Sequence, residues 1–144
     1  MNDKFTVDDC WVMPLPRHER PNGNITVVEN NKELPFDVCR VYYLYDVPAG
    51  EERGGHAHRK LYQFLVAASG SFDVLIDDGT QRRTVFLNRP DKGLLIVPGI
   101  WRELNNFSSG AVCLVLASEF YDESDYIREY DNFRAEYGNG EDNL

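Results

Sequence analysis

GEERGGHAHRKLYQFLVAASG, residues 50–70, is the stretch on which the reading of the fold turns. Its second half, 61–68, is an apolar run of strand length that stops at Ala68-Ser69-Gly70-Ser71, where glycine supplies the positive φ of a tight hairpin turn. A returning strand over 71–77 then ends at a second turn, Asp77-Asp78-Gly79. Ahead of this hairpin lies Arg53-Gly54-Gly55-His56-Ala57-His58-Arg59, with two of the three histidines two residues apart. On a strand, side chains alternate between faces, so both imidazoles point the same way. If that face lines an interior, two imidazoles converge on one small volume, as a metal site or acid/base chemistry requires.

Outward from this segment, strand signals dominate: short runs rich in Val, Ile, Tyr, Phe and Leu cover 24–29, 38–46, 83–87, 93–97, 101–105 and 111–118. Asn88-Arg89-Pro90-Asp91 forms a further turn. Many short strands at this spacing predict an all-β sandwich or barrel. The one helical signal is 124–137, where Tyr126, Ile127, Tyr130, Phe133 and Tyr137 recur every three or four residues; this helix is expected to cover one end of the strands. With 144 residues, 42% of them hydrophobic, and no repeat or linker, the chain is read as one domain over 1–144 with a frayed acidic tail after 138.

Twenty-four acidic against fifteen basic residues give a formal net charge of −9, which repels polyanions and argues against nucleic-acid or anionic-membrane partners. A small phosphorylated ligand remains compatible, because it responds to the local charge of a pocket arginine. Cys10, Cys39 and Cys113 are odd in number and lack ligand spacing, which fits small core residues in a reducing compartment. The polar, acidic start offers neither signal peptide nor membrane helix. The expected location is the cytoplasm.

Gly50, His56-x-His58, Gln63 and Gly70 stand at the spacing of the first cupin motif, with Gln63 where metal-binding cupins carry glutamate. Gly93, Pro98 and Asn106 resemble the second motif, but its histidine is missing and Arg102 stands in that neighbourhood. A divalent transition metal wants about three or four N, O or S donors, whereas Gln63 is a weak neutral ligand and Arg102 a fixed cation. No metal and no other cofactor is therefore expected. Two titratable bases beside a positive group suit proton transfer next to a developing oxyanion.

The sequence resembles the cupin nucleotide-sugar 3,4-ketoisomerases, the FdtA-like or WxcM-like family. The likeness rests on 23–29 (GNITVVE), 35–36, 40–48 (RVYYLYDVP), 53–65 (RGGHAHRKLYQFL), 77–79, 97–103 (VPGIWRE) and 118–133 (SEFYDESDYIREYDNF). It implies a homodimeric jelly roll and isomerisation of a dTDP-4-keto-6-deoxyhexose to its 3-keto isomer, in deoxysugar synthesis for surface polysaccharide. The related 3,5-epimerases of such sugars share the barrel and a similar Arg-Gly-x-His turn; the second histidine and the shorter chain separate this sequence from them.

That reaction removes a proton from C3, acidified by the C4 ketone, and returns one to C4 through an enediol. His56 and His58 are the candidate proton carriers, with His56 preferred at carbon because it holds the position of the epimerases' histidine, and Tyr42 assists at oxygen. Arg53 resembles a diphosphate-binding arginine. Arg102 is a candidate to stabilise charge at O3 or O4, and Gln63 to bond the sugar or orient a histidine. Tyr42 lies on the strand face opposite Tyr43. Trp101 and Phe64 are read as core. The competing readings are a non-catalytic nucleotide-sugar-binding cupin, a 3,5-epimerase-like enzyme and a metal-dependent cupin, the last disfavoured by Gln63 and Arg102.

Overall fold

Short apolar runs separated by glycine, proline and aspartate turns become twelve strands and one short helix in a computed structural model that describes residues 4–138. In chain order the strands are β1 (Trp11–Pro14), β2 (Arg17–His18), β3 (Ile25–Thr26), β4 (Arg40–Leu44), β5 (Arg53–His58), β6 (Gln63–Ser69), β7 (Phe72–Asp77), β8 (Arg82–Leu87), β9 (Lys92–Ile96), β10 (Trp101–Asn105), β11 (Val112–Ala117) and β12 (Tyr126–Ile127). The helix α1 spans Tyr130–Tyr137. The acidic stretch expected to fray beyond 138 lies outside the described residues.

All pairings are antiparallel, and they build two five-stranded sheets, β1-β9-β6-β11-β4 and β12-β5-β10-β7-β8, with β2 and β3 as a separate pair. The chain crosses between the sheets at its first tight turn, with β6 in the first sheet and β7 in the second, whereas β7 and β8 pair within the second. The sheets stay open, so the jelly roll is a sandwich and not a closed barrel. Leu65 and Leu94 from one sheet and Phe72, Val74 and Ile76 from the other are all fully or almost fully buried in one apolar cluster. Positive φ at Gly70 (+67°) and Gly79 (+94°) turns the chain where the sequence places turns, but only the Gly79 turn closes a hairpin, β7–β8; the strands flanking Gly70 lie in different sheets and do not pair.

The structure shortens two expected elements and adds others. The strand read over 24–29 contracts to the two-residue β3, and the edge strands β1 and β12 carry no clear sequence signal. The helix read over 124–137 begins only at Tyr130. Glu123–Asp125 is a 3-10 turn capped by Asp122, whose side chain accepts from the Ser124 amide. Tyr126 and Ile127 then pair with His58 and Ala57, so sheet pairing along β5 overrides the helical period at these positions. The helix that remains docks on the second sheet by packing buried Phe133 against Trp101, ring centroids 5.8 Å apart. Cys10 and Cys113 are buried as expected, but Cys39 is exposed, and all three thiols are unpaired. No helix among the described residues is long and apolar enough to cross a membrane.

Gly93 on β9 sits beside the wholly buried Phe64 of β6, whose ring occupies the space that a methyl at 93 would need. Overpacking of this kind costs about 1–3 kcal/mol. Gly93→Ala is expected to lower the unfolding free energy by that amount in urea titration, with the m-value unchanged; an unaltered midpoint would show that the sheets can shift apart at no cost.

Candidate active site

Three strands, β4, β5 and β12, form the walls of a cleft of about 340 Å³ lined by Arg40, Tyr42, Leu44, Arg53, Gly54, His56, Tyr126 and Arg128. Arg53 and His56 share this cleft although they are three residues apart, a separation that puts side chains on opposite faces of a regular strand. A bulge reconciles the two. On β10 two steps, Arg102 to Leu104, face three steps on β5, His56 back to Arg53. Gly54 absorbs the extra residue at φ +82°, and any Cβ there would come within 2.8 Å of Leu104 Cδ1. The double glycine ahead of the histidines therefore re-aims the arginine into the same space as the imidazole.

His56 is partly buried at the cleft wall, and His58 has no exposed surface behind it. Their rings meet edge to face with centroids 4.7 Å apart, and Tyr126 packs on both, at 5.1 and 4.3 Å. The Nε2 atoms of both rings are buried without a hydrogen-bond partner. His58 Nδ1 lies 3.3 Å from Asp125 Oδ2, and the other carboxylate oxygen accepts from the Lys60 amide at 2.8 Å.

Behind Tyr42 runs a chain of polar groups. Gln63 Nε2 donates to the Tyr42 hydroxyl at 2.8 Å, and Gln63 Oε1 accepts from Arg102 Nη1. Arg102 is fully buried, and its remaining donors go to the Ile100 carbonyl, at 3.0 and 3.3 Å. Its hydrogen bonds thus end on neutral acceptors, and burial lowers its pKa to about 10.

Burial, and after it this cation, act on the neighbouring groups. Burial, then Arg102 and Arg128, against a weaker opposing pull from Glu123, bring the His56 pKa down to about 3. Burial, Arg102, the neighbouring His56 and the more distant Arg40 and Arg128 push His58 far below the usual imidazole range. Burial raises the Tyr42 pKa although Arg102 opposes it, so the phenol keeps its proton. At neutral pH the cleft therefore presents two neutral imidazoles and a protonated phenol.

The sequence reading placed Arg53, His56 and Tyr42 in one site, and all three line the cleft; His58, Gln63 and Arg102 lie directly behind that lining. Arg102 reaches the cleft through Gln63 and Tyr42 and is not itself among the lining groups. Tyr43 and Tyr45, on the opposite face of their strand, are 59% and 60% exposed. Four contributors were not foreseen. Arg40 alternates in phase with Tyr42 and stacks over its ring at 5.2 Å, a proximity that the strand period alone offered. Asp125, Tyr126 and Arg128 sit in the segment read as helix, where no local pattern ties them to the histidines; Arg128 lies 4.1 Å over Tyr126 and forms a two-pronged ion pair with Glu123 at 2.7 and 2.8 Å. Among the described residues no group of three or more His, Cys, Asp or Glu side chains is arranged to hold a metal ion. The donor set at the imidazoles, with an amide already bonded to a phenol and a guanidinium as the third neighbour, does not suit one.

Comparison with known proteins gives concordant matches. The family model "FdtA: WxcM-like, C-terminal" matches residues 8–138. A TDP-4-oxo-6-deoxy-alpha-D-glucose-3,4-oxoisomerase from Aneurinibacillus thermoaerophilus is 48% identical over 112 residues, 78% of this chain and 81% of that protein. A 3,4-ketoisomerase from Helicobacter canadensis superposes with a TM-score of 0.87 at 42% identity, covering 90% of this chain and 97% of its own. A mutant of the 3,4-ketoisomerase QdtA from Thermoanaerobacterium thermosaccharolyticum, solved with TDP-4-keto-6-deoxyglucose, gives 0.87 at 38% identity, covering 89% and 93%.

The buried, neutral imidazoles also make stability depend on pH. In the unfolded chain each titrates near the ordinary 6.5, while folded His56 resists protonation down to about 3. Between those values the unfolded state binds more protons, so stability present above pH 6.5 is lost on acidification. His56→Gln, lacking one such group, is expected to show a smaller fall in urea midpoint than the wild type between pH 7 and 4. Equal falls would mean that His56 is already protonated in the fold.

Proposed function

The chain belongs to the FdtA (WxcM-like, C-terminal) family, and on that premise we propose that the cleft between β4, β5 and β12 isomerises a TDP-4-keto-6-deoxyhexose. The protein is an isomerase of deoxysugar biosynthesis that moves the keto group from C4 to C3. The observation that carries the site assignment is the pair of imidazoles 4.7 Å apart, one on the cleft wall and one behind it, with a protonated phenol opposite.

The chemistry follows from what each group can give or take. The C4 ketone acidifies the C3 proton, and His56, the imidazole on the wall, takes it. Tyr42 gives its proton to the oxygen at C4, forming the enediol. The hydroxyl at C3 returns a proton to Tyr42, with His58 as partner in this oxygen shuttle, and His56 delivers its proton to C4. The sum moves one proton from C3 to C4 and one from O3 to O4, with no oxidant or reductant. Gln63 and Arg102 act through Tyr42: the amide bond and the buried cation favour the phenolate that forms transiently. Arg53, Arg40 and Arg128 at the mouth suit a diphosphate, with planar forks matched to phosphate oxygens.

Binding such a dianion beside Arg128 offsets one of the charges that keep His56 a poor proton acceptor. Base strength therefore rises only once substrate is seated. The acid limb of kcat, which reports the complex, is expected at higher pH than the limb of kcat/KM, which reports the free enzyme and should show no inflection near 6.5. A kcat/KM inflection at 6.5 would contradict a depressed His56.

Proton NMR of TDP-4-keto-6-deoxyglucose in heavy water, before and after enzyme, tests the activity directly: loss of the C3 proton signal and appearance of the 3-keto isomer are expected. Unchanged, undeuterated substrate would leave only a binding protein. His56→Asn and His58→Asn are each expected to lower kcat by about 10²–10⁴-fold with the fold intact; near-normal turnover in both would remove the imidazoles from the mechanism.

A homodimer in the cytoplasm completes the proposal. The free edge of β4 and the exposed Val41, Tyr43 and Tyr45 beside it favour a partner there, and the three unpaired thiols suit a reducing compartment. Light scattering after gel filtration should give twice the 16.6 kDa chain mass, and Tyr43→Lys with Tyr45→Lys should halve it. A wild-type mass of one chain would remove the dimer.

A further inference from the structure

Asp125 is a buried carboxylate in the short 3-10 turn before β12. Nothing in its local sequence points to the cleft, yet Tyr126 next to it pairs with His58, and this brings the carboxylate onto the hidden side of that imidazole. One oxygen, Oδ1, is pinned by the Lys60 amide at 2.8 Å, and the Asp125 carbonyl is held by the Arg59 amide at 3.0 Å. The other oxygen, Oδ2, faces His58 Nδ1 at 3.3 Å, a length usual for such contacts before substrate tightens them. The His58 carbonyl is in turn bound by the Gly99 amide at 2.8 Å, so both the backbone and the ring of His58 are fixed.

We infer that Asp125 is a positioning residue of the isomerase, holding His58 as the tautomer with its proton on Nδ1 and a free lone pair on Nε2. This rests on the catalytic role proposed above for the histidine pair. A carboxylate can only accept from a neutral imidazole, so the proton must sit on Nδ1. The partnerless Nε2 is then the basic atom, in a ring whose centroid lies 4.7 Å from that of His56. When His58 takes a proton in the oxygen shuttle, the same carboxylate lies against the resulting imidazolium and offsets the nearby Arg102.

Asp125→Asn separates positioning from mere packing. The Lys60 amide continues to require an acceptor, so it keeps the amide oxygen of Asn in the Oδ1 place and turns the NH2 toward His58. Nδ1 must then accept, and the proton moves to Nε2, the tautomer inversion known to disable carboxylate-oriented histidines. Long-range ¹H–¹⁵N NMR on the substrate-free protein is expected to show His58 protonated at Nδ1 in the wild type and at Nε2 in Asp125→Asn. In the same variant kcat should fall about 10²–10⁴-fold while KM stays within a few-fold. A wild-type His58 carrying its proton on Nε2, or a folded Asp125→Asn with undiminished kcat, overturns the inference. Should Asp125→Asn fail to fold, the wild-type tautomer alone decides. Failure of the wild type to isomerise the 4-keto sugar would refute the proposed reaction, and the tautomer measurement would still stand or fall by itself.

Discussion

One buried guanidinium lies at the centre of the candidate site. Arg102 enters the sandwich from β10, opposite His56 in the sheet register, and its hydrogen bonds go to an amide and a carbonyl. A charge taken out of water without a counter-ion is costly, and it opposes a second positive charge on the neighbouring imidazoles. Burial, reinforced by Arg102, keeps His56 and His58 neutral, and burial keeps Tyr42 protonated although the same cation favours its phenolate. A site poised in this way can receive a proton at one atom and give one at another without first exchanging protons with solvent.

Placing the cleft residues around that cation depends on a single irregularity in the sheet. The bulge at Gly54 lets the strand before the histidines gain a residue against β10, so that Arg53 and His56 share one face. Without it, the arginine would leave the cleft or the imidazole would. The cleft's other wall comes from β12, a two-residue strand that among the described residues pairs with β5 alone, and through it Tyr126, Arg128 and Asp125 arrive at the histidines, Asp125 from 67 residues beyond His58. The local cationic mouth made by Arg40, Arg53 and Arg128 coexists with a net charge of −9 because a small phosphorylated ligand responds to the nearest guanidinium groups.

The parts of the site written in local pattern were legible. Two histidines at strand spacing, a glycine pair before them and a Tyr-rich strand pointed to His56, His58, Arg53 and Tyr42, which the fold brings to one cleft or directly behind its lining. Residues 124–129 misled, because Tyr126, Ile127, Tyr130 and Phe133 fit a helical period as well as they fit a turn, a strand and then a helix. The deciding term was the unpaired edge of β5, whose backbone groups Tyr126 and Ile127 satisfy, and no property of 124–129 encodes that demand.

The sequence by itself determined the all-β class, the turns at Gly70 and Gly79, and the common face of the two imidazoles, since each follows from the two-residue period of a strand or the φ freedom of glycine. Only the tertiary structure decided that the sheets remain an open sandwich, that Arg102 lies beneath Tyr42 and Gln63 with its hydrogen bonds on neutral acceptors, and that Asp125 reaches His58. Those three depend on contacts between segments far apart in the chain, and on how much water such contacts exclude, quantities that no window of sequence contains.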